Sequence, residues 1–174
     1  MSGAIVWFTG LPSSGKSHLA RRVRARLDHE RRSNCTLDGD AIRKLIRPEP
    51  GYTPSERDDF YLTLGGLAVE LSQQGLVVLV PATARCRAYR DRARALSTRF
   101  IEVWLTTSLE ECRARDDKGL YARFSVGAVQ GLPGEDQAYE APEFPEVRAK
   151  GGEDDDALSL ILRLLHASPP AKKG

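Results

Sequence analysis

A chain of 174 residues with 41% apolar and 29% charged residues is long enough for one domain with a sizeable core. Its formal charge of +2 gives no argument for a nucleic-acid or membrane partner, and its longest apolar run, Leu76 to Ala82, is far too short to span a bilayer. No basic region followed by an apolar stretch marks a secretory signal, and Cys35, Cys86 and Cys112 lie too far apart for a metal site, so reduced thiols in a cytoplasmic protein are expected.

Along the chain, short β-like runs alternate with helical ones. Ile5 to Thr9 reads as a compact apolar strand. Lys16 to about Ser33 reads as a helix, with Leu19, Val23 and Leu27 on one stripe. Arg21, Arg22, Arg24, Arg26, Arg31 and Arg32 then belong to its solvated face rather than to a nucleic-acid patch. Cys35 to Leu37 is a short strand ending at Asp38. A long helix is expected from about Pro54 to Gln74, stopped by Gly75. Leu76 to Val80 is apolar without alternation, as in a strand buried on both faces.

Phe100 to Leu105 is a further strand, Ser108 caps a helix toward Arg115, and a last helix runs from about Asp154 to His166. Strands separated by helices predict an α/β fold, a parallel sheet with helices on both faces. One stretch, 116–146, is rich in Gly, Pro and charge without periodicity, and it predicts a mobile lid over a site. The domain is expected over 1–167, with 168–174 a frayed tail.

Gly10-Leu-Pro-Ser13-Ser14-Gly15-Lys16-Ser17 fits the phosphate-binding loop pattern G-x-x-x-x-G-K-[ST]. Its glycines let the backbone curl so that successive N–H groups face a phosphate, and the helix behind adds its positive end. Lys16 is expected at the β- and γ-phosphates of ATP, and the Ser17 hydroxyl on magnesium. At ordinary glycine usage the four fixed positions arise by chance in about one chain of this length in two hundred. Here the pattern also stands between an apolar strand and an amphipathic helix, as the loop requires.

Asp38-Gly39-Asp40 follows the second strand, at the sheet end where ligands bind. Its carboxylates suit magnesium or the proton of an attacking hydroxyl; equally, the segment suits an Asp-Gly turn with Asp40 capping a helix. The strand 76–80 runs into Pro81-Ala82-Thr83 without an acid. Arg43, Arg57, Arg85, Arg87 and Arg90 fall where they can reach the same end, and arginine suits bidentate recognition of phosphate or sulfate.

Several longer stretches carry a more specific resemblance. They are Phe8 to Ser17, Leu37-Asp-Gly-Asp-Ala-Ile-Arg43, Gly51-Tyr52 leading to Arg57, Arg87-Ala-Tyr-Arg-Asp91, Phe100-Ile-Glu-Val103, Cys112 to Tyr121 and Tyr139-Glu-Ala-Pro142. In these the chain resembles adenylylsulfate kinases, which transfer phosphate from ATP to the 3′-hydroxyl of adenosine 5′-phosphosulfate. The resemblance implies a three-layer P-loop NTPase fold, ATP and Mg2+, and a cytoplasmic homodimer in sulfate assimilation. It implies that Asp38 and Asp40 serve magnesium and the acceptor hydroxyl. Arg43 and Arg57 would bind the phosphosulfate end, Tyr52 would stack on the acceptor's adenine, Lys118 would sit in the lid, and Arg115 would approach the donor nucleotide.

The departures from the family pattern fall on the acceptor side. Phe60 stands where the family has Asn, and Thr63 where it has Arg. Ala82-Thr83-Ala84-Arg85-Cys86-Arg87 replaces Phe-Ile-Ser-Pro-Tyr/Phe-Arg, and Leu132 replaces a lid Phe. Phe60, Thr83 and Leu132 are therefore further candidates for acceptor contact. Two other readings stay open: a kinase of this family with a different hydroxylated acceptor, and a nucleotide-binding regulatory protein without turnover.

Overall fold

The computed structural model describes residues 3–167, so the tail 168–174 lies outside the described residues. Five parallel strands form one sheet in the order β2-β3-β1-β4-β5. They are β1 (Ala4–Thr9), β2 (Asn34–Thr36), β3 (Val77–Pro81), β4 (Phe100–Leu105) and β5 (Val147–Ala149). β1 and β3 are buried at every residue, which is why their sequences carry no polar alternation.

Alternate side chains of β1 supply two cores. Ala4, Val6 and Phe8 pack with α1 (Lys16–His29) and α7 (Asp155–His166), through Leu19, Val23, Leu27, Ile161 and Leu165. Ile5 and Trp7 pack on the other face with α3 (Pro54–Gln73) and α4 (Arg87–Leu96), through Phe60, Leu64, Ala68, Tyr89 and Ala93. The three layers follow from this two-residue period within one strand. Truncating a side chain such as Phe8, 0% exposed, is expected to cost about 3–5 kcal/mol.

The helix starts are written locally. Thr53 and Glu56 form a capping box with Pro54 in the first turn of α3, and Ser108 with Glu111 does the same for α5 (Leu109–Arg115). Four expectations need correction. The first helix ends at His29 rather than Ser33, because Arg31 turns left-handed at φ 54° and its N–H bonds back to Asp28. The turn after Asp38 starts α2 (Gly39–Leu45), and Asp38 rather than Asp40 caps it, accepting from the N–H groups of Asp40 and Ala41.

The third correction is α4, which had no counterpart among the expected elements. The fourth lies in the segment 116–146, which contains α6 (Leu120–Ser125); the Asp116 carboxylate accepts from the N–H groups of Tyr121 and Ala122 there. The basic run on α1 is mostly exposed, as expected, but Arg32 is buried and donates to the Leu165 carbonyl. Cys35, Cys86 and Cys112 are free thiols.

Candidate active site

Loops at the carboxyl ends of the strands enclose a cavity of about 1480 Å3. Its floor at one end is the loop between β1 and α1. Gly15 there has φ 99° and closes directly on the chain after β5: a Cβ on it would stand 2.5 Å from the Gly152 nitrogen, so only glycine fits. Thr107 ties the same two segments, its hydroxyl donating to the Ser14 carbonyl at 2.9 Å and lying 3.3 Å from that of Lys150. The hydroxyls of Ser13 and Ser14 are buried without a hydrogen-bond partner.

Lys16 folds back over the loop and donates to the carbonyls of Gly10, at 3.0 Å, and Leu11, at 2.7 Å. Burial, and then the charge of Lys118, lower its pKa from 10.5 to about 8. The cradle therefore holds orphaned hydroxyls and a desolvated ammonium, both of which an anionic phosphate would satisfy.

Ser17 donates to one oxygen of Asp38 at 3.1 Å, while the other oxygen caps α2. The cap expected of Asp40 thus falls to one oxygen of Asp38, and the other oxygen meets the Ser17 hydroxyl. A hydroxyl beside a carboxylate is a hard-oxygen pair of the kind that holds magnesium together with nucleotide phosphates. Among the described residues no group of three or more His, Cys, Asp or Glu stands ready to hold a metal alone. Asp40, two residues on, ion-pairs with Lys118 from the segment between α5 and α6. Burial works against the Lys118 charge, but the hydrogen bond and charge of Asp40 outweigh it and raise its pKa. Arg115, at the end of α5, lines the cavity beside Gly151: a Cβ there would stand 3.8 Å from the guanidinium.

The far end of the cavity carries arginine and aromatic side chains. Arg43 donates to the carbonyls of Pro50 and Gly51 and lies over the rings of Phe60, at 3.9 Å, and Tyr52, at 4.7 Å. Arg57 donates to the Tyr52 carbonyl and, across the cleft, to that of Gly131, at 2.8 Å. Burial first, then the neighbouring charge of Arg85, hold its pKa below the ordinary value. Tyr52 is 63% exposed, whereas Phe60 and Leu132 are 2% and 4% exposed. The Asp136 carboxylate accepts from the N–H groups of Gly131 and Leu132 and fixes that part of the lid segment.

The cavity thus brings together Ser13, Ser14, Gly15, Lys16, Ser17, Asp38, Asp40, Arg43, Tyr52, Arg57, Phe60, Thr83, Arg115, Lys118 and Leu132. Gly10 serves by backbone from beneath, through its carbonyl. Thr63 is not brought in: it sits on the exposed side of α3 and bonds back to the Asp59 carbonyl. Of the five candidate arginines, Arg43, Arg57 and Arg85 line the cavity. Arg87 instead pairs with Glu140 and Glu143, and Arg90, 1% exposed, is locked on Glu102 at 2.7 Å. Sequence reasoning missed Thr107, Gly151, Gly152 and Tyr61. The Gly151-Gly152 pair, one residue past β5, was the one available signal, because paired glycines can mark a close backbone approach.

The pattern of the adenylylsulphate kinase family matches residues 2–150. The chain is 36% identical to an adenylyl-sulfate kinase of Synechococcus sp. strain JA-3-3Ab, over 95% of each chain. It is 41% identical to the bifunctional enzyme NodQ of Azospirillum brasilense, over 94% of this chain but 27% of that protein. Among solved structures, the Mycobacterium tuberculosis APS kinase CysC in complex with AMPPNP and APS superposes with a TM-score of 0.88. The two share 33% identity, over 95% of this chain and 99% of that one.

Proposed function

Because the chain belongs to the adenylylsulphate kinase family, we propose that it transfers the γ-phosphoryl group of ATP to the 3′-hydroxyl of adenosine 5′-phosphosulfate, giving 3′-phosphoadenosine 5′-phosphosulfate. One observation carries this reading: a single cavity joins the phosphate cradle to the arginine and aromatic end, with Asp38 and Asp40 between them.

The donor triphosphate occupies the loop 10–17, where N–H groups and the Ser13 and Ser14 hydroxyls receive its oxygens. Lys16 leaves the carbonyls of Gly10 and Leu11 for the β- and γ-phosphates and stabilises the charge that develops there. Ser17 and Asp38 would hold Mg2+, which would neutralise part of the phosphate charge. The acceptor lies between Tyr52 and the lid, its anionic end at Arg43 and Arg57.

Asp40 accepts the 3′-hydroxyl proton as the new P–O bond forms and the bond to the β-phosphate oxygen breaks; Lys118 shares that carboxylate until the acceptor arrives. The segment 116–146 serves as the lid that excludes water, within a kinase domain spanning 1–167. Arg115 covers the donor nucleotide.

The assay is direct: purified protein, MgATP and adenosine 5′-phosphosulfate, with product read by chromatography. Absence of an ATP-dependent product overturns the reading. Phe60 stands where the family pattern has Asn, and Leu132 where it has the aromatic Phe; these exchanges favour as second reading a different hydroxylated acceptor. Transfer to another alcohol without transfer to the phosphosulfate would establish it, and nucleotide binding without any transfer would establish a regulatory role. No helix of the described residues is long and apolar enough to cross a membrane. A cytoplasmic homodimer is the assembly and compartment implied by the family resemblance, and light scattering on the purified protein tests the dimer.

A further inference from the structure

Of the five candidate arginines, Arg85 lines the cavity without an assigned task, and its surroundings are built to hold it. The preceding residue, Ala84, takes a left-handed φ of 42°, a strained geometry for a residue with a Cβ. Three bonds fix the backbone around it. The Ala84 N–H donates to the Tyr61 hydroxyl at 2.9 Å, the Ala84 carbonyl accepts from Arg90, and the Arg85 carbonyl accepts from the Glu140 N–H at 2.8 Å.

Arg85 itself is half-buried in the cavity wall, and its Nε is buried with no hydrogen-bond partner. Among the described residues no carboxylate comes within 4.0 Å of the guanidinium of Arg43, Arg57 or Arg85. By contrast Arg87, Arg90, Arg94 and Arg113 are all paired with glutamates. Arg85 is close enough to Arg57 for its charge to help hold the Arg57 pKa down. Like charges concentrated in a half-buried wall repel one another unless an anion joins them.

We propose that Arg85 is a specificity-determining residue of the acceptor pocket, binding the terminal sulfate of the phosphosulfate group beside Arg43 and Arg57. This rests on the adenylylsulfate reading. An arginine fork matches a tetrahedral oxyanion, and among the described residues no carboxylate already occupies this one. The position carries proline in the family pattern, which therefore does not itself supply this contact.

The test uses Arg85→Ala and Arg85→Lys, each loaded with a non-hydrolysable MgATP analogue and titrated calorimetrically with adenosine 5′-phosphosulfate or adenosine 5′-phosphate. Loss of a charge-assisted contact should weaken phosphosulfate binding about 10- to 100-fold in Arg85→Ala. The monophosphate and the ATP analogue should bind as in wild type, and Arg85→Lys should recover part of the loss. Equal losses on both acceptor ligands, or none, would overturn the assignment.

If wild type binds no phosphosulfate, the adenylylsulfate reading is what fails. Inorganic pyrophosphate titrated onto MgADP-loaded protein then decides Arg85 separately: roughly tenfold weaker binding in Arg85→Ala supports the anion site, and equal binding overturns it.

Discussion

Two loops follow central strands of the same sheet, Gly10 to Ser17 after β1 and Thr83 to Cys86 after β3. Both contain a non-glycine residue in the left-handed region, Ser13 and Ala84. They hold their shapes by different means. The first carries its turn residues in its own sequence, with glycines where the chain must turn sharply and a helix start behind it, and Thr107, Tyr121 and Gly152 then pack onto it. The second is set from outside, by Tyr61 on α3, Arg90 on α4 and Glu140 on the segment returning from the lid. A loop of the first kind can be read from a short motif. A loop of the second kind can change its residues freely while distant side chains keep its place. That fits the division of departures in this chain: the donor motif is intact, and the acceptor side has exchanged several residues.

If this contrast is right, the donor side should fail by chemistry and the acceptor side by affinity. The largest effect is expected for Lys16→Ala. Removing a preorganised charge at the transferring group should lower kcat by about 10³-fold. A circular-dichroism spectrum like wild type would show that the fold survives. Asp40→Asn comes next, with a loss of about 10²-fold, at the low end for a general base because phosphoryl transfer has a loose transition state. Steady-state kinetics check both. An Asp40→Asn enzyme with unchanged kcat would remove that residue from the proton path.

The same contrast explains what the sequence conveyed. β1 and β3 were legible because central parallel strands are apolar throughout, β4 because it is apolar but for Glu102, and α3 and α5 because their caps are local. α4 was hidden by its charge. Arg87, Arg90, Arg92 and Arg94 make it look like a solvated segment, yet Arg90 is the most buried residue on it. The partner that permits this, Glu102, lies on β4, and no local pattern connects the two.

β5 is three residues long, too short for a period to show. In the site, the loop 10–17, the Asp-Gly-Asp and the lid lysine were all visible. Thr107 and the Gly151-Gly152 pair were not, since their role is to meet the loop across a long stretch of intervening chain.

On the acceptor side Tyr52→Ala is expected to raise KM for the acceptor roughly tenfold, the loss of one stacking face being worth about 1–3 kcal/mol. KM for ATP should stay the same. Because Tyr52 is 63% exposed and touches Arg43 and Arg57 by its ring, folding should tolerate the change. A matching rise in both KM values would erase the proposed division between the halves of the cleft.

The smallest predicted effect concerns Lys16 as a proton acceptor. Its pKa is lowered to about 8 by burial and by Lys118. Between that value and the ordinary 10.5, the unfolded chain binds more protons at this lysine than the folded protein does. The ligand-free protein should therefore gain stability as pH rises through that window. ATP acts in the opposite direction. Its phosphates favour the ammonium, so above about pH 8 binding must take up a proton and weaken as pH rises, by about fourfold at pH 8.5.

Calorimetry in two buffers of different ionisation enthalpy reads this uptake directly. At pH 9 the wild type should absorb close to one proton per ATP bound, and Lys16→Ala none. Uptake that persists in Lys16→Ala would assign the proton to another group in the cleft. The intact donor loop would then be a cradle of backbone dipoles whose lysine is charged before the nucleotide arrives.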